Sequence, residues 1–267
     1  MPGPNSKKNY QSISRMLNAF GNSINNSKEK TNWDETLKQG NMKPSIIRDS
    51  TDASILEAYR ILQVNIDMAL HGISSKRIII TSALPNEGKT TSCCNLGITL
   101  AQTGIRVLLI DCDLRRPALH KEMMLNQSPG LSEILTKKAS LNEALQVTEH
   151  PNLTAVCAGE SPRNAIELLR EKDMKISIDE LSKNYEYIII DMPPVNLVAD
   201  VAIVSKLADG IVLVVREGET KHREFERAVT SLEYTDSKII GVILNDVNIN
   251  RIYGTRYEYK KYNKYYR

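Results

Sequence analysis

Cysteine is scarce in this chain of 267 residues, and its placement excludes more than its number does. Cys93, Cys94, Cys112 and Cys157 lie in apolar or loop-edge contexts, and no two form a C-x-x-C pair. They read as small buried side chains in a reducing compartment, not as disulfides, metal ligands or an iron–sulfur scaffold. The four histidines, His71, His120, His150 and His222, are scattered without a ligand pair. Metal binding through His or Cys is therefore not expected. Apolar runs are also short: none approaches the 18 residues that mark a membrane-spanning helix. The first 16 residues contain basic side chains with no apolar core behind them, which argues against a secretory signal. Net charge is only +3, but it is unevenly spread. Residues 1–30 carry +4 and residues 251–267 carry +5, leaving −6 for the 220 residues between them. Basic ends on an acidic body suit anionic lipid, nucleic acid or a neighbouring subunit, and charge alone leaves these open.

What is present is an apolar content of 41%, enough for one substantial α/β core. Residues 77–91 read RIIITSALPNEGKTT: an apolar run, a tight loop, and then Gly88-Lys89-Thr90-Thr91 opening the next segment. That order is strand, phosphate-binding loop, helix N-terminus. The loop amides and helix dipole would hold phosphate oxygens, Lys89 would reach the outer phosphates, and the Thr90 hydroxyl would sit on Mg²⁺. Ala83 stands where the strict G-x-x-x-x-G-K-[ST] string has its first glycine. Two further apolar runs end in carboxylates. Val107-Leu108-Leu109-Ile110 leads into Asp111, Asp113 and Arg115, and Tyr187-Ile188-Ile189-Ile190 leads into Asp191, Pro193 and Pro194. A single Asp after a buried strand is often a helix cap. Three such strand ends would bring Lys89, Asp111, Asp113 and Asp191 to one sheet edge, where ligands of open parallel sheets bind. Together they indicate a nucleoside-triphosphate site.

The wider pattern is a strict alternation. Asp52 would cap a helix in which Ile55, Leu56, Tyr59, Leu62, Ile66 and Leu70 recur at helical spacing. Strands are expected at 77–82, 106–110, 153–157, 186–190, 211–215 and 238–244, the last read as a central strand ending at the site with Asn245. Helices are expected at 89–103, 131–136, 141–147, 164–183, 199–207 and 220–234. This order predicts a doubly wound, mostly parallel sheet with helices on both faces, the fold of a P-loop NTPase. Residues 1–45 are polar and expected to be disordered, apart from one short amphipathic turn at Ile13-Met16-Leu17-Phe20. Residues 46–250 would form the nucleotide-binding domain. Residues 251–267 form a basic tail carrying Tyr253, Tyr257, Tyr259, Tyr262, Tyr265 and Tyr266 among charged neighbours. The tail suits phosphoacceptors, because each phosphate adds about −1.5 to −2 charge and several would reverse its sign.

These motifs resemble those of the bacterial tyrosine kinases of capsule and exopolysaccharide operons, in their separate cytoplasmic form. The family's P-G-E-G-K-[ST]-T is matched by residues 85–91 with Asn86 in place of Gly and with Ala83 ahead of it, its D-x-D-x-R by Asp111, Asp113 and Arg115, and its D-x-P-P by Asp191, Pro193 and Pro194. Residues 162–169 resemble P-P-N-P-x-E-L-L with two prolines altered. Glu57 and Arg60 resemble the start of an oligomerisation motif, E-x-x-R-x-x-R, whose final Arg is Gln63 here. The resemblance implies ATP-dependent tyrosine phosphorylation, chiefly of the tail tyrosines of a neighbouring subunit in a homo-oligomer. It implies Mg²⁺ held by Thr90, Asp111 and Asp191, and nucleotide contacts from Ala83, Asn86, Glu87, Gly88, Lys89, Thr90, Thr91 and Asn245. Lys89, Asp111, Asp113, Arg115 and Asp191 would carry catalysis, with Asp111 and Asp113 unranked as base and Arg116 an alternative to Arg115. Partners implied are the cytoplasmic tail of a membrane-protein activator that controls polysaccharide chain length, which would recruit the protein to the inner face of the membrane, and a protein-tyrosine phosphatase. Nucleic acid is not implied. Two rivals stay open: a switch ATPase of the partition or division-site type, whose extra loop lysine would fall at Leu84, and a nucleotide-binding regulator that no longer transfers phosphate.

Overall fold

The computed structural model describes residues 46–48, 51–170, 172–235 and 238–247. The chain divides after Ser45, and everything described belongs to the unit that begins at Ile46. The expected polar segment and the tyrosine-rich tail lie outside the described residues, as does the end of the expected domain at residue 250.

The short Ile, Val and Leu runs form strands because they can be buried on both faces only in a parallel sheet covered by helices. Element order is α1 (Ala53–Ala69), β1 (Lys76–Ser82), α2 (Lys89–Gln102), β2 (Val107–Asp111), α3 (Leu119–Glu122), α4 (Leu131–Leu135), α5 (Leu141–Ala144), β3 (Leu145–Val147), β4 (Leu153–Val156), α6 (Ala165–Arg170), α7 (Lys172–Leu181), β5 (Tyr187–Asp191), α8 (Asp200–Val204), β6 (Gly210–Arg216), α9 (His222–Glu233) and β7 (Ile239–Asn245). A single 3₁₀ turn, Ser205–Leu207, follows α8. The seven strands lie in the order β3-β4-β2-β5-β1-β6-β7.

Successive residues of the central strands serve opposite cores, as a period of two requires. Ile79, Leu108, Ile110, Ile188 and Ile190 pack with Leu168, Met174, Ile178, Val201 and Leu232. Ile78, Ile80, Leu109 and Ile189 pack with Ile66, Leu96 and Leu100, beneath α1 and α2. The doubly wound architecture is thus the one expected, with local differences, among them the short helix α3 where none was expected. The single helix expected at 141–147 is a four-residue turn, capped reciprocally by Ser140 and Glu143, followed by β3. β3 is a strand that was not expected; it runs antiparallel to β4 and leaves the sheet mostly parallel, as expected. The helix expected at 164–183 is two helices. β7 is an edge strand, not a central one, although it ends where expected. All four cysteines are free and buried. Burial pushes their thiol pKa values up, that of Cys157 to about 12, so none is a nucleophile at neutral pH.

Candidate active site

β1, β2 and β5 deliver the site because they are neighbours in the sheet and end at the same edge. Their register places Asp111 directly beside Asp191, and paired residues of parallel neighbours face the same side. From Ser82 the chain turns through residues 83–88 and enters α2 at Lys89. Asn86 and Gly88 both adopt left-handed conformations, at φ 64° and φ 88°. Asn is among the side chains that tolerate this backbone. Gly88 has a second constraint: a Cβ there would lie 2.0 Å from Asn245 Nδ2. That amide donates to the Glu87 carbonyl at 3.0 Å, so the end of β7 braces the loop. The Glu87 side chain is buried and turns back on its own loop. Its Oε2 accepts from Leu84 N at 2.8 Å and its Oε1 from the Thr220 hydroxyl, and burial pushes its pKa up.

At the N-terminus of α2 three acids surround one ammonium. Lys89 Nζ lies 3.0 Å from Asp113 Oδ2, 3.6 Å from Asp191 Oδ1 and 3.3 Å from Thr90 Oγ1. Burial works against the charged lysine, but Asp191, Asp113 and Asp111 outweigh it and hold its pKa above the ordinary value. Thr90 Oγ1 donates to Asp191 Oδ2 at 2.6 Å. Asp191 is wholly buried, and its Oδ1 accepts no hydrogen bond of ordinary length. Asp111 has both oxygens engaged by backbone. Oδ1 accepts from Asp113 N at 3.0 Å, and Oδ2 from Ala118 N and Leu119 N, each at 3.2 Å. Burial first, and then the Asp191 charge, raise the Asp111 pKa. Burial likewise raises that of Asp191, against the pull of Lys89. Asp113 keeps Oδ2 on Lys89 while Oδ1 accepts from Arg116 N at 3.0 Å.

The structure therefore brings Lys89, Thr90, Asp111, Asp113 and Asp191 together, with Ala83, Asn86, Glu87 and Gly88 in the adjoining loop and Asn245 against it. Thr91 lies one residue on, its Oγ1 3.5 Å from Glu122 Oε1. Arg115 is committed to a carboxylate that sequence reading missed: Nε is 3.1 Å from Asp200 Oδ2, and Nη2 is 3.3 Å from Asp200 Oδ1. Thr220 and Arg216 were also missed. Arg216 pairs with Asp246 at 2.8 Å and reaches the Asn86 carbonyl at 3.4 Å. None of the three lies in a motif or at a telling spacing, so no sequence signal pointed to them. A cavity of about 300 Å³ beside the loop after β5 is lined by Asn196, Leu197, Arg227 and Ser231, and by none of the motif residues. The six tail tyrosines lie outside the described residues.

Among the described residues, no three His, Cys, Asp or Glu side chains are arranged to hold a metal ion by themselves. Mg²⁺ does not need such a cage, since it is commonly bound by one or two carboxylates together with substrate phosphates. A buried carboxylate oxygen without a hydrogen bond, beside a threonine hydroxyl at a helix N-terminus, fits that mode. No helix among the described residues is long and apolar enough to cross a membrane.

A family model described as "AAA domain" matches residues 75–223. Tyrosine-protein kinase YwqD of Bacillus subtilis is 38% identical over 205 residues, which cover 75% of this chain and 86% of that protein. The kinase domain of Escherichia coli tyrosine kinase ETK superposes with a TM-score of 0.72 at 30% identity, over 82% of this chain and 88% of that one. The septum site-determining protein MinD of Pyrococcus horikoshii, solved with Mg-ADP, gives a TM-score of 0.55 at 24% identity over 64% of this chain and 70% of its own, a likeness of fold alone.

Proposed function

Since the chain belongs to the bacterial tyrosine-protein kinases, its reaction is phosphoryl transfer to protein tyrosine, and we propose that ATP with Mg²⁺ is the donor, held on the loop of residues 83–91. The observation that carries this reading is the convergence of Lys89 with Asp113, Asp191 and Thr90 at the start of α2. Loop amides and the helix dipole bind phosphate oxygens, and Lys89 exchanges carboxylate for phosphate partners. Mg²⁺ would be held by Thr90 and Asp191, with Asp111 nearby, and would neutralise charge on the phosphates. In the transfer, the bond from the γ-phosphorus to its bridging oxygen breaks, ADP leaves, and the tyrosine oxygen bonds to phosphorus. The phenolic proton passes to a carboxylate. Asp113 is the better base, because its Oδ2 is released when Lys89 turns to the phosphates, whereas both oxygens of Asp111 accept backbone hydrogen bonds. Asp111 is then a positioning residue.

The acceptors proposed are Tyr253, Tyr257, Tyr259, Tyr262, Tyr265 and Tyr266 on the tail of a second copy. The stimulus is the cytoplasmic tail of a membrane-protein activator, which would hold the kinase at the inner face of the membrane, and a protein-tyrosine phosphatase reverses the modification. The output is control of capsular or exopolysaccharide synthesis and export. Motif resemblance and the tail's composition support this part of the reading.

The test is mass spectrometry of the purified chain with Mg-ATP and the activator tail, beside Lys89→Met and a chain ending at Asn250. Several phosphates on residues 253–266 of the full chain, absent from both variants, are expected. ATP hydrolysis without any tyrosine phosphate would remove the reading.

A further inference from the structure

Asp200 is a carboxylate that no motif predicts, and its side chain is fully buried at the first position of α8. A buried charge costs several kcal/mol unless a partner with good geometry answers it. The partner is Arg115, which reaches it from the other site loop, two residues beyond Asp113. The contact is two-pronged, Nε to Oδ2 at 3.1 Å and Nη2 to Oδ1 at 3.3 Å, and so sets the plane of the guanidinium as well as its position. Arg115 itself remains 42% exposed at its side chain. The Asp200 hydrogen bonds first, and the charges of Asp200 and Asp113 after them, raise the Arg115 pKa against the effect of burial.

The pair joins two loops that leave adjacent strands. One follows β2, which ends in Asp111, and carries Asp113. The other follows β5, which ends in Asp191, and is tied to the end of β1, just before the phosphate loop, where Val195 N donates to Ser82 O at 2.9 Å. An ion pair that served only stability could sit anywhere on the surface. This one ties the loop that carries Asp113 to the first residue of α8 and fixes Arg115 two residues beyond Asp113.

We propose that Asp200 is a positioning residue, which holds Arg115 in the orientation that stabilises charge on the phosphoryl group during transfer. The proposal rests on the site reading above, with Lys89 and the three aspartates at the phosphates. A misplacement of about 1 Å in such a group costs on the order of 100-fold in rate. Asp200→Asn keeps the volume and a hydrogen-bond acceptor but releases the charge-assisted grip.

The experiment measures kcat, KM for a tyrosine peptide, and ADP affinity without metal, below every variant's melting temperature. Asp200→Asn, Arg115→Gln, Arg115→Lys and the Asp200→Asn/Arg115→Gln double variant are compared. Asp200→Asn should lower kcat about 10- to 100-fold with ADP affinity within about twofold of wild type. Arg115→Gln should match it, the double variant should lose no more than either single change, and Arg115→Lys should fail to restore the rate. Wild-type kcat in folded Asp200→Asn would overturn the proposal and leave Asp200 a stabilising residue only. Multiplied losses in the double variant would also overturn it, because the two residues would then act separately. Lys89→Met in the same series reports on the site itself: retained transfer there would sink the site reading, whatever Asp200 does.

Discussion

Asp191 and Asp111 are adjacent buried carboxylates whose ionisation the fold opposes: burial raises both pKa values, and the Asp191 charge adds to it at Asp111 and the Asp113 charge at Asp191. A carboxyl raised in this way contributes stability that is complete below its ordinary pKa and is lost as pH rises through the raised one. The Asp111 value reaches about 8, so the unliganded protein should lose stability between roughly pH 4 and that point. Lys89 titrates above this window and does not offset the loss. Asp191→Asn removes one of the two charges while an amide can still meet the Thr90 hydroxyl. Urea denaturation at pH 5 and pH 8 should show a flatter pH dependence for Asp191→Asn, with stability at pH 8 no lower than wild type. Mg-ADP affinity, read by calorimetry, should fall at least about 10-fold with the loss of the proposed metal ligand. A variant less stable than wild type at pH 8 would contradict this account of the acidic pair. The residues concerned were legible in the sequence as strand-end carboxylates. Their opposition in register was not, because strand order is not written in local pattern.

At the scale of elements, the placement of Lys89 depends on how closely α2 lies on the sheet. Gly97 makes that approach possible: a Cβ there would come within 2.8 Å of Leu109 Cδ2 on β2 and 3.3 Å of Leu153 Cδ1 on β4. Alanine would require small rotations of two leucines, whereas a β-branched side chain has no such room. Gly97→Val should therefore destabilise the protein by about 1–3 kcal/mol, seen as a lower melting temperature. It should also weaken ADP binding, because the helix that presents Lys89 and Thr90 is displaced. Equal ADP affinity in a destabilised variant would separate the helix packing from the site. Elements with a long regular period were readable, and α2, α9 and the central strands lie within a residue or two of expectation. Residues 141–147 were not readable, because apolar spacing in so short a run fits a helical turn or a strand. Pairing of Gln146 with Ala155 on β4 decides for the strand.

At the scale of the molecule, residues 46–48 close the face beneath α1 and α2. Ile46 and Ile47 are buried there, and Ile47 N donates to Asn95 Oδ1 at 2.8 Å on α2. A chain beginning at Thr51 should be less stable than one beginning at Ser45 by about 2–4 kcal/mol, the order expected for two buried isoleucines and one hydrogen bond. Denaturant unfolding of the two truncations checks this, and equal midpoints would show that the segment contributes nothing. Asn95 also donates to Tyr59 on α1 at 3.3 Å, so the segment and the helix meet the phosphate helix at one side chain. The amino-acid order by itself determined the alternation of strand and helix, the phosphate loop and the carboxylates at three strand ends. Those follow from local period, glycine placement and the position of charge after apolar runs. Only the tertiary structure decided that Asp111 lies against Asp191, that β7 is an edge whose Asn245 braces Gly88, and that Arg115 belongs to Asp200. Each of these joins residues far apart in the chain, through a strand order and a burial of charge that no local spacing encodes.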